Sequence, residues 1–565
     1  MSNITNSAEG VPNSDKNKNS SSNKIVYSLI REFQKEGVLF TDQYGKPYLA
    51  THGDGTEVIP LESDVFRNYV NAATFGLFHR GITKNSVDKV IEVLKGEALF
   101  GNRRRVFTLD VRHSRPDEQT IWYDLGRYAV RMTGGDWRVV ARPPILFKRF
   151  QHQKEQLAPE KGGSLELLHK YVNIEDECDW LMFQVFAVSC FIPGFPKPLL
   201  VLNGSQGSGK STPLRMLKSL IDPSSLKSIP IPKTVSDLAR IADHHSILFF
   251  DNLSKMPTDV SDSLCKLSTG DGFTKRRLYT DDDDVVYELQ RPIMLNGINQ
   301  IITQADLLDR SIPIELQRIP EEKRLTEEEL WQSFNKDKPL ILGAIFDIIS
   351  KAVAIYPTVK LNRLPRMADF AKWGYAIAEA MEDYDGSDFI SSYEIVVDRQ
   401  NNEALNASPL AQFVIWLMRD KLEWHGTATE LMLEHDSSRH KRCDSIELYR
   451  LSDSPMWPKD PASLGRSLNR ISVNLKKVGF IIEKYTEANQ RKIRILRDIF
   501  HPETYRYKFY ASKIPETSAE RRQFYEEYYD GLPMYDEPIQ QEMGFLGDPE
   551  LLKKNYEHYS GKVSK

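Results

Sequence analysis

The chain has 565 residues, more than one hydrophobic core usually serves, so several domains are expected. Hydrophobic residues make up 40% of the sequence and charged residues 27%, which excludes a mostly disordered or fibrous protein. Its 75 Lys and Arg residues against 79 Asp and Glu residues give a formal net charge of -4, so the chain is no polycation. Any nucleic-acid surface must therefore be a local patch.

The cysteine pattern and the apolar stretches indicate in which cellular compartment the protein is expected. Four cysteines lie far apart without a C-x-x-C pair, which predicts reduced thiols rather than a disulfide framework or a zinc knuckle. The most apolar stretches, 181–202 and 339–356, are interrupted by polar or charged residues, whereas a membrane span needs about 20 nearly uninterrupted apolar residues. The N-terminus contains no apolar run typical of signal peptides. We therefore expect a soluble, cytoplasmic protein that does not enter a membrane.

Composition and periodicity divide the chain into segments. The Ser/Asn/Lys-rich residues 1–24 have little to bury and are predicted to be disordered. Residues 25–160 open with an amphipathic helix and continue with short β-like runs, two of them joined by a hairpin turn at Gly134 and Gly135, which predicts an α+β domain. The other predicted segments are a helical linker at 161–195, an α/β core at 196–320, a helical lid at 321–405, a small C-terminal domain at 406–498 and a Tyr-rich tail at 499–565.

The strongest signal is a glycine-rich loop, residues 204–211, with the sequence GSQGSGKS. An apolar strand at Leu199–Leu202 leads into it, and its spacing is the full G-x-x-x-x-G-K-[ST] pattern. Such a loop wraps a polyphosphate with its backbone N–H groups, and the following helix adds its positive N-terminal end. Lys210 is predicted to contact the β- and γ-phosphates, and Ser211 is predicted to bind Mg²⁺. ATP is therefore the predicted ligand; the alternative, a glycine-rich surface turn without a ligand, is disfavoured by the strand before the loop and the helix after it. The predicted nucleotide-binding residues are Gly204, Ser205, Gln206, Gly207, Ser208, Gly209, Lys210, Ser211 and Thr212.

A second apolar strand supplies an acidic partner for the metal. Ile247–Phe250 ends in Asp251, which is predicted to hold Mg²⁺; the alternative is a buried structural aspartate. The next residue is Asn252, where many ATPases have a glutamate that polarises the attacking water. Asparagine can orient a water but cannot take its proton. Either hydrolysis is slow, or another carboxylate such as Asp271 assists.

Two further polar residues follow in the α/β segment. The strand at Pro292–Leu295 ends in Asn296, a position beside the phosphate crevice from which the γ-phosphate and lytic water can be sensed. Arg310 stands between a predicted helix end and the strand at Ile312–Leu316. An arginine there can project into a neighbouring subunit's nucleotide as an arginine finger. A surface pair between Asp309 and Arg310 is an equally open alternative.

The order of these features along the chain resembles the AAA+ ATPase core. The features are the glycine-rich loop, the strand that ends in Asp251, the strand that ends in Asn296 and the helix that ends at Arg310. The stretch LCKLSTGDGFTKRRLYTDDDDVVYELQRPIMLNGIN, with DLLDRSIPIEL after it, is similar to the superfamily-3, poxvirus-type primase-helicase and minichromosome-maintenance-like ATPases of phages and mobile elements, helicase-like initiators of integrative elements included. The resemblance implies an ATP hydrolase that works as a hexameric ring, with Mg-ATP between subunits. It gives the nucleotide-site roles above to Lys210, Ser211, Asp251, Asn296 and Arg310.

The same resemblance implies a hairpin that grips single-stranded DNA before the Asn-tipped strand. Here the hairpin stem carries Lys275, Arg276 and Arg277, while its tip at 281–284 is four aspartates. An acidic tip repels phosphates, so any DNA contact is predicted from the stem. A contact of the tip with a basic patch on the next subunit is the alternative.

The small C-terminal domain is predicted to be winged-helix-like. Leu464, Leu468, Ile471 and Leu475 share one face of a helix, and two β-like runs after Gly479 form a basic hairpin. The predicted DNA contacts are Arg466, Arg470, Arg491, Lys492 and Arg494. A solvated charged face on a small packing domain is the alternative.

These features predict an ATP-driven DNA helicase or replication initiator of a phage or mobile element. Its substrate would be single-stranded DNA, with origin duplex and a separate primase as further candidate partners. Polymerase chemistry is not expected in the N-terminal domain, because Asp110 and Asp124 belong to no D-x-D pair. The alternatives are a nucleotide-switched defence or signalling ATPase with slow turnover, and a DNA-binding scaffold that loads a separate helicase.

Overall fold

The computed structural model describes residues 14–51, 57–102, 104–205, 207–253, 256–270, 273–276, 284–287, 289–297, 305–419, 421–440, 451, 454, 456–498 and 501. The chain divides into two compact units. The first comprises residues up to 301 together with 310–396. The second comprises residues 302–309 together with the chain from 397 onward.

The first unit begins with a helical subdomain built around a small antiparallel sheet. Its elements are α1 (Ser14–Glu36), β1 (Gly37–Thr41), β2 (Pro47–Thr51), β3 (Val58–Pro60), α2 (Asp64–Phe78) and α3 (Lys84–Phe100). The apolar face of α1, with Leu29 and Phe33, is buried in the same core as Val90 and Leu94 of α3. Helix α1 includes residues 14–24, which the composition placed in a disordered segment, because its buried apolar face anchors a helix that the preceding polar residues continue.

A second antiparallel sheet follows in the order β5–β6–β7–β8, beside a short parallel pair of β4 and β9. The strands are β4 (Leu109–Asp110), β5 (His113–Ser114), β6 (Thr120–Asp124), β7 (Ala129–Thr133), β8 (Asp136–Val140) and β9 (Leu146–Phe147). The predicted hairpin is confirmed: Thr133 pairs with Asp136 across the turn. Gly135 has φ of 106°, a conformation that only glycine adopts without strain.

The α/β part of the first unit is entered through a 3-10 helix (Leu165–Lys170) and the buried helix α4 (Glu177–Ser189). Its further elements are β10 (Leu199–Asn203), α5 (Ser211–Ile221), α6 (Val235–His244), β11 (Leu248–Leu253), α7 (Thr258–Thr269), β12 (Phe273–Arg276), β13 (Asp284–Tyr287), β14 (Ile293–Gly297) and β15 (Ser311–Glu315). Four strands form a sheet in the order β11–β14–β10–β15, and all three neighbouring pairs are parallel. The predicted parallel α/β arrangement is confirmed, and the carboxyl ends of β10, β11 and β14 meet at one edge.

Helices complete the first unit. They are a 3-10 helix (Glu321–Lys323), α9 (Glu327–Ile355), a 3-10 helix (Tyr356–Thr358), α10 (Ala368–Glu379) and α11 (Gly386–Ala407), whose last residues belong to the second unit. The helical stretch Glu327–Thr358 is long and apolar enough to cross a membrane, but 56% of its most apolar window is buried inside the fold. A core helix passes the same test of length and composition, and α9 packs against α10, β7 and β8.

The second unit contains a three-stranded sheet flanked by helices. Its elements are α8 (Ala305–Leu308), α12 (Pro409–Leu417), β16 (Glu423–Gly426), α13 (Ala428–His440), α14 (Pro461–Lys476), β17 (Phe480–Glu487) and β18 (Gln490–Arg497). The sheet order is β16–β18–β17. The predicted helix and hairpin are confirmed, and all four leucine and isoleucine residues of the predicted face are buried. Ala488 and Asn489, with φ of 49° and 60°, form the tight hairpin turn.

A buried ion pair joins the β5–β8 sheet to the end of α5. Arg112 is 2% exposed and donates through Nε to Asp222 Oδ1 at 3.1 Å. Its Nη1 and Nη2 donate to the carbonyls of Asp124 and Pro223, both at 3.1 Å. Burial by itself would raise the pKa of Asp222, but the nearby charges of Lys218 and Arg112 hold that pKa below its usual range. Asp222 is therefore buried as a carboxylate that depends on its partners.

Replacing Arg112 with Met should lower the free energy of unfolding by about 3 to 5 kcal/mol, because it leaves the buried Asp222 carboxylate short of a partner. Arg127→Met is the matched control, since its pair with Glu155 is exposed and should cost about 1 kcal/mol or less. Chemical denaturation measures both.

The cost should depend on pH. Because the pKa of folded Asp222 is depressed, its stabilising contribution is present above its unfolded pKa of about 3.9 and is lost as the pH falls through the folded pKa. The difference between wild type and Arg112→Met should therefore narrow at acid pH. Equal losses in Arg112→Met and Arg127→Met would contradict the assignment.

Candidate functional site

The glycine-rich loop lies between the carboxyl end of β10 and the start of α5. Gly204, Gly207 and Gly209 have φ of 141°, 89° and 73°, values that side chains rarely tolerate. A Cβ on Gly204 would lie 2.7 Å from the carbonyl oxygen of Leu316, so glycine is required there by space as well. Within the described residues no side chain caps the N-terminus of α5, so this helix end can offer N–H groups other than that of Thr212 to an anion. The predicted succession of strand, loop and helix is confirmed.

Lys210 folds back over the loop that precedes it. Its Nζ donates to the carbonyl oxygens of Gly204 at 2.6 Å and Ser205 at 3.1 Å. Ser208 Oγ donates to the Ser205 carbonyl at 2.9 Å, and the Thr212 N–H donates to Gly209 at 3.1 Å. The lysine charge is thus held at the inner side of the loop; Gln206 lies outside the residues that the structure describes.

Residues from the start of α5 and from the strands β11 and β14 meet beside this loop. Ser211 Oγ donates to Asp251 Oδ1 at 2.7 Å. Asn296 Nδ2 donates to Ser211 Oγ at 3.2 Å, and Asn296 Oδ1 accepts from the Asn252 N–H at 2.7 Å. Asn296 is 2% exposed, so its amide acts as a buried link between the start of α5 and the end of β11. The sequence predicted these residues singly, and the fold brings them together.

These side chains line a cavity of about 280 Å³. The lining residues are Lys210, Ser211, Arg215, Asp251, Asn252, Asn296 and Gly297. A serine hydroxyl and an aspartate carboxylate are the kind of oxygen donors that Mg²⁺ takes, so Ser211 and Asp251 fit the predicted metal. The predicted catalytic residues Lys210, Asp251, Asn252 and Asn296 all face this cavity; that they act on a nucleotide stays a prediction.

Asn252 has a backbone conformation that singles it out. Its φ is 56°, in the left-handed region where asparagine is several-fold enriched, and the pairing of β11 with β14 shifts register between Phe250 and Leu253. The irregularity turns the chain directly after Asp251 and aims the Asn252 N–H at Asn296. The side chain of Asn252 is exposed at the cavity.

Arg215 is a site residue that the sequence analysis missed. Its Nη2 donates to Asp251 Oδ2 at 3.1 Å. The signal was present in the sequence, since Ser211 and Arg215 are four residues apart and residues at that spacing share a helix face. What was missing was the knowledge that Asp251 lies opposite this face.

Arg310 lies away from the cavity of its own chain. It directly precedes β15, and its carbonyl oxygen accepts from the N–H of Leu199, the first residue of β10, at 2.8 Å. The glycine-rich loop follows the opposite end of β10, roughly 13 Å away at about 3.3 Å per residue. Asp309, the alternative partner of Arg310, forms an ion pair with Lys477 at 3.4 Å.

The stem of the predicted DNA-gripping hairpin is confirmed as the antiparallel pair β12–β13, in which Arg276 lies opposite Asp284. Lys275 and Arg276 belong to β12. Arg277 and the rest of the acidic tip, 281–283, lie outside the residues that the structure describes. DNA contact by this hairpin stays a prediction.

The basic residues of the second unit divide into two groups. Lys492 Nζ lies 2.5 Å from Glu487 Oε2, and Arg494 Nε lies 2.7 Å from Glu423 Oε1. These partners offset part of the positive charge predicted for the hairpin. Arg466 and Arg470 on α14 and Arg491 on β18 are exposed, and within the described part of the chain they form no ion pair.

Helix α14 is held against the hairpin by Lys484, whose Nζ donates to the Gly465 carbonyl at 2.9 Å. The helix starts in a capping box formed by Asp460 and Ser463. Together these contacts fix how α14 presents Arg466 and Arg470. The helix and hairpin therefore carry these exposed charges on α14 and on β18.

The carboxylates of the N-terminal part are engaged in structure. Asp124 is 1% exposed, and both of its oxygens accept from Arg149 at 2.8 Å. Burial raises the pKa of Asp110. Lys148 pairs with Asp243 at 2.8 Å. These contacts give Asp124 a structural role; that the N-terminal domain has no polymerase chemistry stays a prediction.

Comparison with known families places most of these elements in one context. The model described as the actinomycete integrative conjugative element replication protein, RepA, matches residues 164–403, and the model of the RepA C-terminal domain matches 410–503. From residue 164 to 503, the chain is similar to RepA replication proteins. The two matches cover the glycine-rich loop, the cavity and the second unit's helix and hairpin. The expected relation to replication proteins of mobile elements is confirmed at this level.

Structural comparison adds neighbours of low similarity. The apo C-terminal region of NrS-1 matches over 84% of this chain and 98% of its own, at 13% identity and a TM-score of 0.37. JCV helicase, with a bound small organic molecule, matches over 38% of this chain and 64% of its own, at 13% identity and a TM-score of 0.20. Comparison with curated proteins gave no match. The replication-related role therefore rests on the family matches.

DNA affinity should fall when Arg466 and Arg470 are both replaced with Ala, because each exposed arginine would neutralise one phosphate. The slope of the logarithm of the binding constant against that of salt concentration should drop by about one for each contact removed. Lys492→Ala is the control, since its charge is already paired with Glu487. Fluorescence anisotropy with labelled DNA over a salt series measures both.

Equal effects of Arg466→Ala/Arg470→Ala and Lys492→Ala would contradict this division of the basic residues. Unchanged affinity and unchanged salt slope in the double variant would favour the alternative of a solvated charged face.

Proposed function

We propose that the chain is an ATP-dependent DNA helicase or replication initiator of a mobile genetic element. The observation that carries the proposal is the meeting of Ser211, Asp251 and Asn296 beside the glycine-rich loop, through hydrogen bonds of 2.7 and 3.2 Å. Asp251 and Asn296 lie on β11 and β14, and Ser211 begins the helix that follows β10; in the sheet β14 lies between β11 and β10, although it comes after both in the chain. The RepA matches supply the replication context.

The loop is suited to a nucleoside triphosphate. Backbone N–H groups of the loop and the uncapped start of α5 offer donors to phosphate oxygens, and Lys210 adds a positive charge on the same side. Ser211 and Asp251 would hold Mg²⁺, which when bound neutralises phosphate charge. Asn296 holds the Ser211 hydroxyl and the Asn252 backbone in fixed positions, so a change at the phosphates would be transmitted to the end of β11.

The position of Arg310 supports action between subunits. Since it lies at the amino end of β10 and β15, it is at the sheet edge opposite its own cavity. In a ring of identical chains, this edge would face the nucleotide of a neighbour, and Arg310 would stabilise the charge that develops during phosphoryl transfer. We propose such a homo-oligomer, with six subunits as in most enzymes that the sequence resembles.

DNA would be engaged by two surfaces. Lys275 and Arg276 on the β12 stem would contact single-stranded DNA, and Arg466, Arg470 and Arg491 would contact the phosphate backbone through the winged-helix-like second unit. In this scheme nucleotide hydrolysis alters the end of β14, which follows the β12–β13 hairpin in the chain. Through the hairpin stem, hydrolysis would thus move the bound DNA strand.

Two single-residue variants test whether the chain hydrolyses ATP and whether Arg310 acts on the nucleotide of a neighbouring subunit. Arg310→Ala should reduce ATP turnover by about a thousandfold or more, the usual value of an arginine finger. Lys210→Ala should also abolish most turnover, because it removes the charge predicted to contact the β- and γ-phosphates. An equimolar mixture should recover turnover, because some interfaces then combine an intact Lys210 with an intact Arg310. Turnover of wild type and mixture should rise with single-stranded DNA, measured by phosphate release.

Each other outcome has a definite meaning. A mixture no more active than its components would place Arg310 in its own subunit's site or outside catalysis. Intact turnover in both variants would reject the proposed function. Binding of ATP and DNA without unwinding of a forked duplex would favour the helicase-loader alternative.

One observation favours the slow-turnover alternative, a nucleotide-switched ATPase. Among the seven lining residues that the structure describes, Asp251 is the acidic one, and it is engaged by Ser211 and Arg215. Asn252 cannot accept the proton of an attacking water. Asp271, the candidate replacement, lies outside the described residues.

Asn252→Asp should raise the rate of ATP turnover by about tenfold or more if a missing general base limits hydrolysis, since positioned bases are worth about a hundredfold or more. Aspartate tolerates the left-handed backbone of this position, so the fold should be kept. Asn252→Gly is the control for the backbone and should not gain turnover. Unchanged turnover in Asn252→Asp, with unchanged nucleotide affinity, would show that the base is supplied elsewhere.

A further inference from the structure

Both oxygens of the Asp251 carboxylate are engaged by donors of α5. Ser211 Oγ donates to Oδ1 at 2.7 Å, and Arg215 Nη2 donates to Oδ2 at 3.1 Å. The side chains of Arg215 and Asp251 are 29% and 11% exposed, so the pair is largely shielded from water. An ion pair in such a place is stronger than one on the open surface.

The phosphate-binding pattern does not account for an arginine at this position. The pattern ends at Ser211, and Arg215 stands one helical turn later, with its guanidinium among the residues that line the cavity. The contact with Asp251 uses Nη2, while Arg215 Nε is buried and has no hydrogen-bond partner among the described residues. In the described part of the chain, the guanidinium is therefore held by one N–H contact rather than by the bidentate contact that fixes arginine most firmly.

A second acidic residue is within electrostatic reach of Arg215. Glu327, at the start of α9, pairs with Lys227 at 3.2 Å. Lys227 lowers the pKa of Glu327, and Arg215 adds to this effect. Glu327 is therefore a second negatively charged group in the electrostatic surroundings of Arg215.

Resting on the proposed function, we propose that Arg215 competes with magnesium for the Asp251 carboxylate, so that loading of the magnesium nucleotide requires the guanidinium to leave. A divalent cation held by Ser211 and Asp251 would lie within a few ångströms of the arginine charge. Like charges at that distance repel strongly where water does not screen them. Arg215 would thus neutralise and orient Asp251 before loading, and would raise the magnesium concentration at which loading occurs.

The competition predicts the direction of a measurable shift. In full-length Arg215→Gln, the magnesium concentration that half-saturates binding of a fluorescent ATP analogue should fall by about fivefold or more, because one cation no longer opposes another. Arg215→Lys keeps the charge and should stay within about twofold of wild type. Arg240→Gln, which removes an exposed charge on α6, should show no shift.

The readout is nucleotide binding and does not depend on hydrolysis. A half-saturating magnesium concentration that is unchanged in Arg215→Gln would overturn the proposal, and so would an increase, which would mean that Arg215 supports the metal. If Arg215→Gln does not fold, Arg215→Met keeps the aliphatic stem and answers the same question. Wild-type protein that binds no nucleotide with magnesium would overturn the proposed function itself, before any variant is compared.

Discussion

The hydrogen bonds that run from the Asn252 backbone through Asn296 and Ser211 to Asp251 hold the ends of β11 and β14 and the start of α5 in one arrangement. Without these bonds, each of the three elements would present its polar residues separately. Because β14 lies between β10 and β11, Asn296 can reach both neighbours with one amide group. A buried amide with both of its ends satisfied is a rigid connector, and its loss would leave polar groups unpaired in a place with little water.

Helix α5 extends this constraint to the rest of the first unit. At its start, Ser211 and Arg215 contact Asp251. Just beyond its end, Asp222 receives Arg112 from the region before β5. The helix is thus fastened by charged or polar contacts at both ends, and about 16 Å of rigid backbone connects them. Any displacement of the glycine-rich loop that moves α5 would be opposed by the buried Arg112–Asp222 pair.

Most residues of the candidate site could be predicted from the sequence, but Arg215 and the contacts between the site residues could not. The glycine-rich loop, Asp251 and Asn296 each follow a short apolar run, and a polar residue at the end of a buried strand is a local pattern. Arg215 carries no such mark, because a basic residue on a helix is ordinary until the opposite strand is known. The role of Arg112 was not predictable from the sequence either, because it depends on a backbone φ of 65° and on the carboxylate of Asp222, which is far away along the chain. The ion pairs of Lys492 and Arg494 likewise depend on which strands pair in the second unit.

Local sequence was enough for the elements whose stability and chemistry are local: the strand, loop and helix around Lys210, the hairpin turn at Gly134 and Gly135, and the apolar face of α14. The order of strands in the sheet, and with it the distance between Asn296 and Ser211 or between Arg310 and its own glycine-rich loop, emerged only in the folded chain. The physical reason is that strand order is set by long-range packing and hydrogen bonding between segments far apart in sequence. The neighbours of a residue within one helical turn or one strand follow from the adjacent sequence. Which carboxylate pairs with a given basic residue depends on how the strands of the whole sheet are arranged.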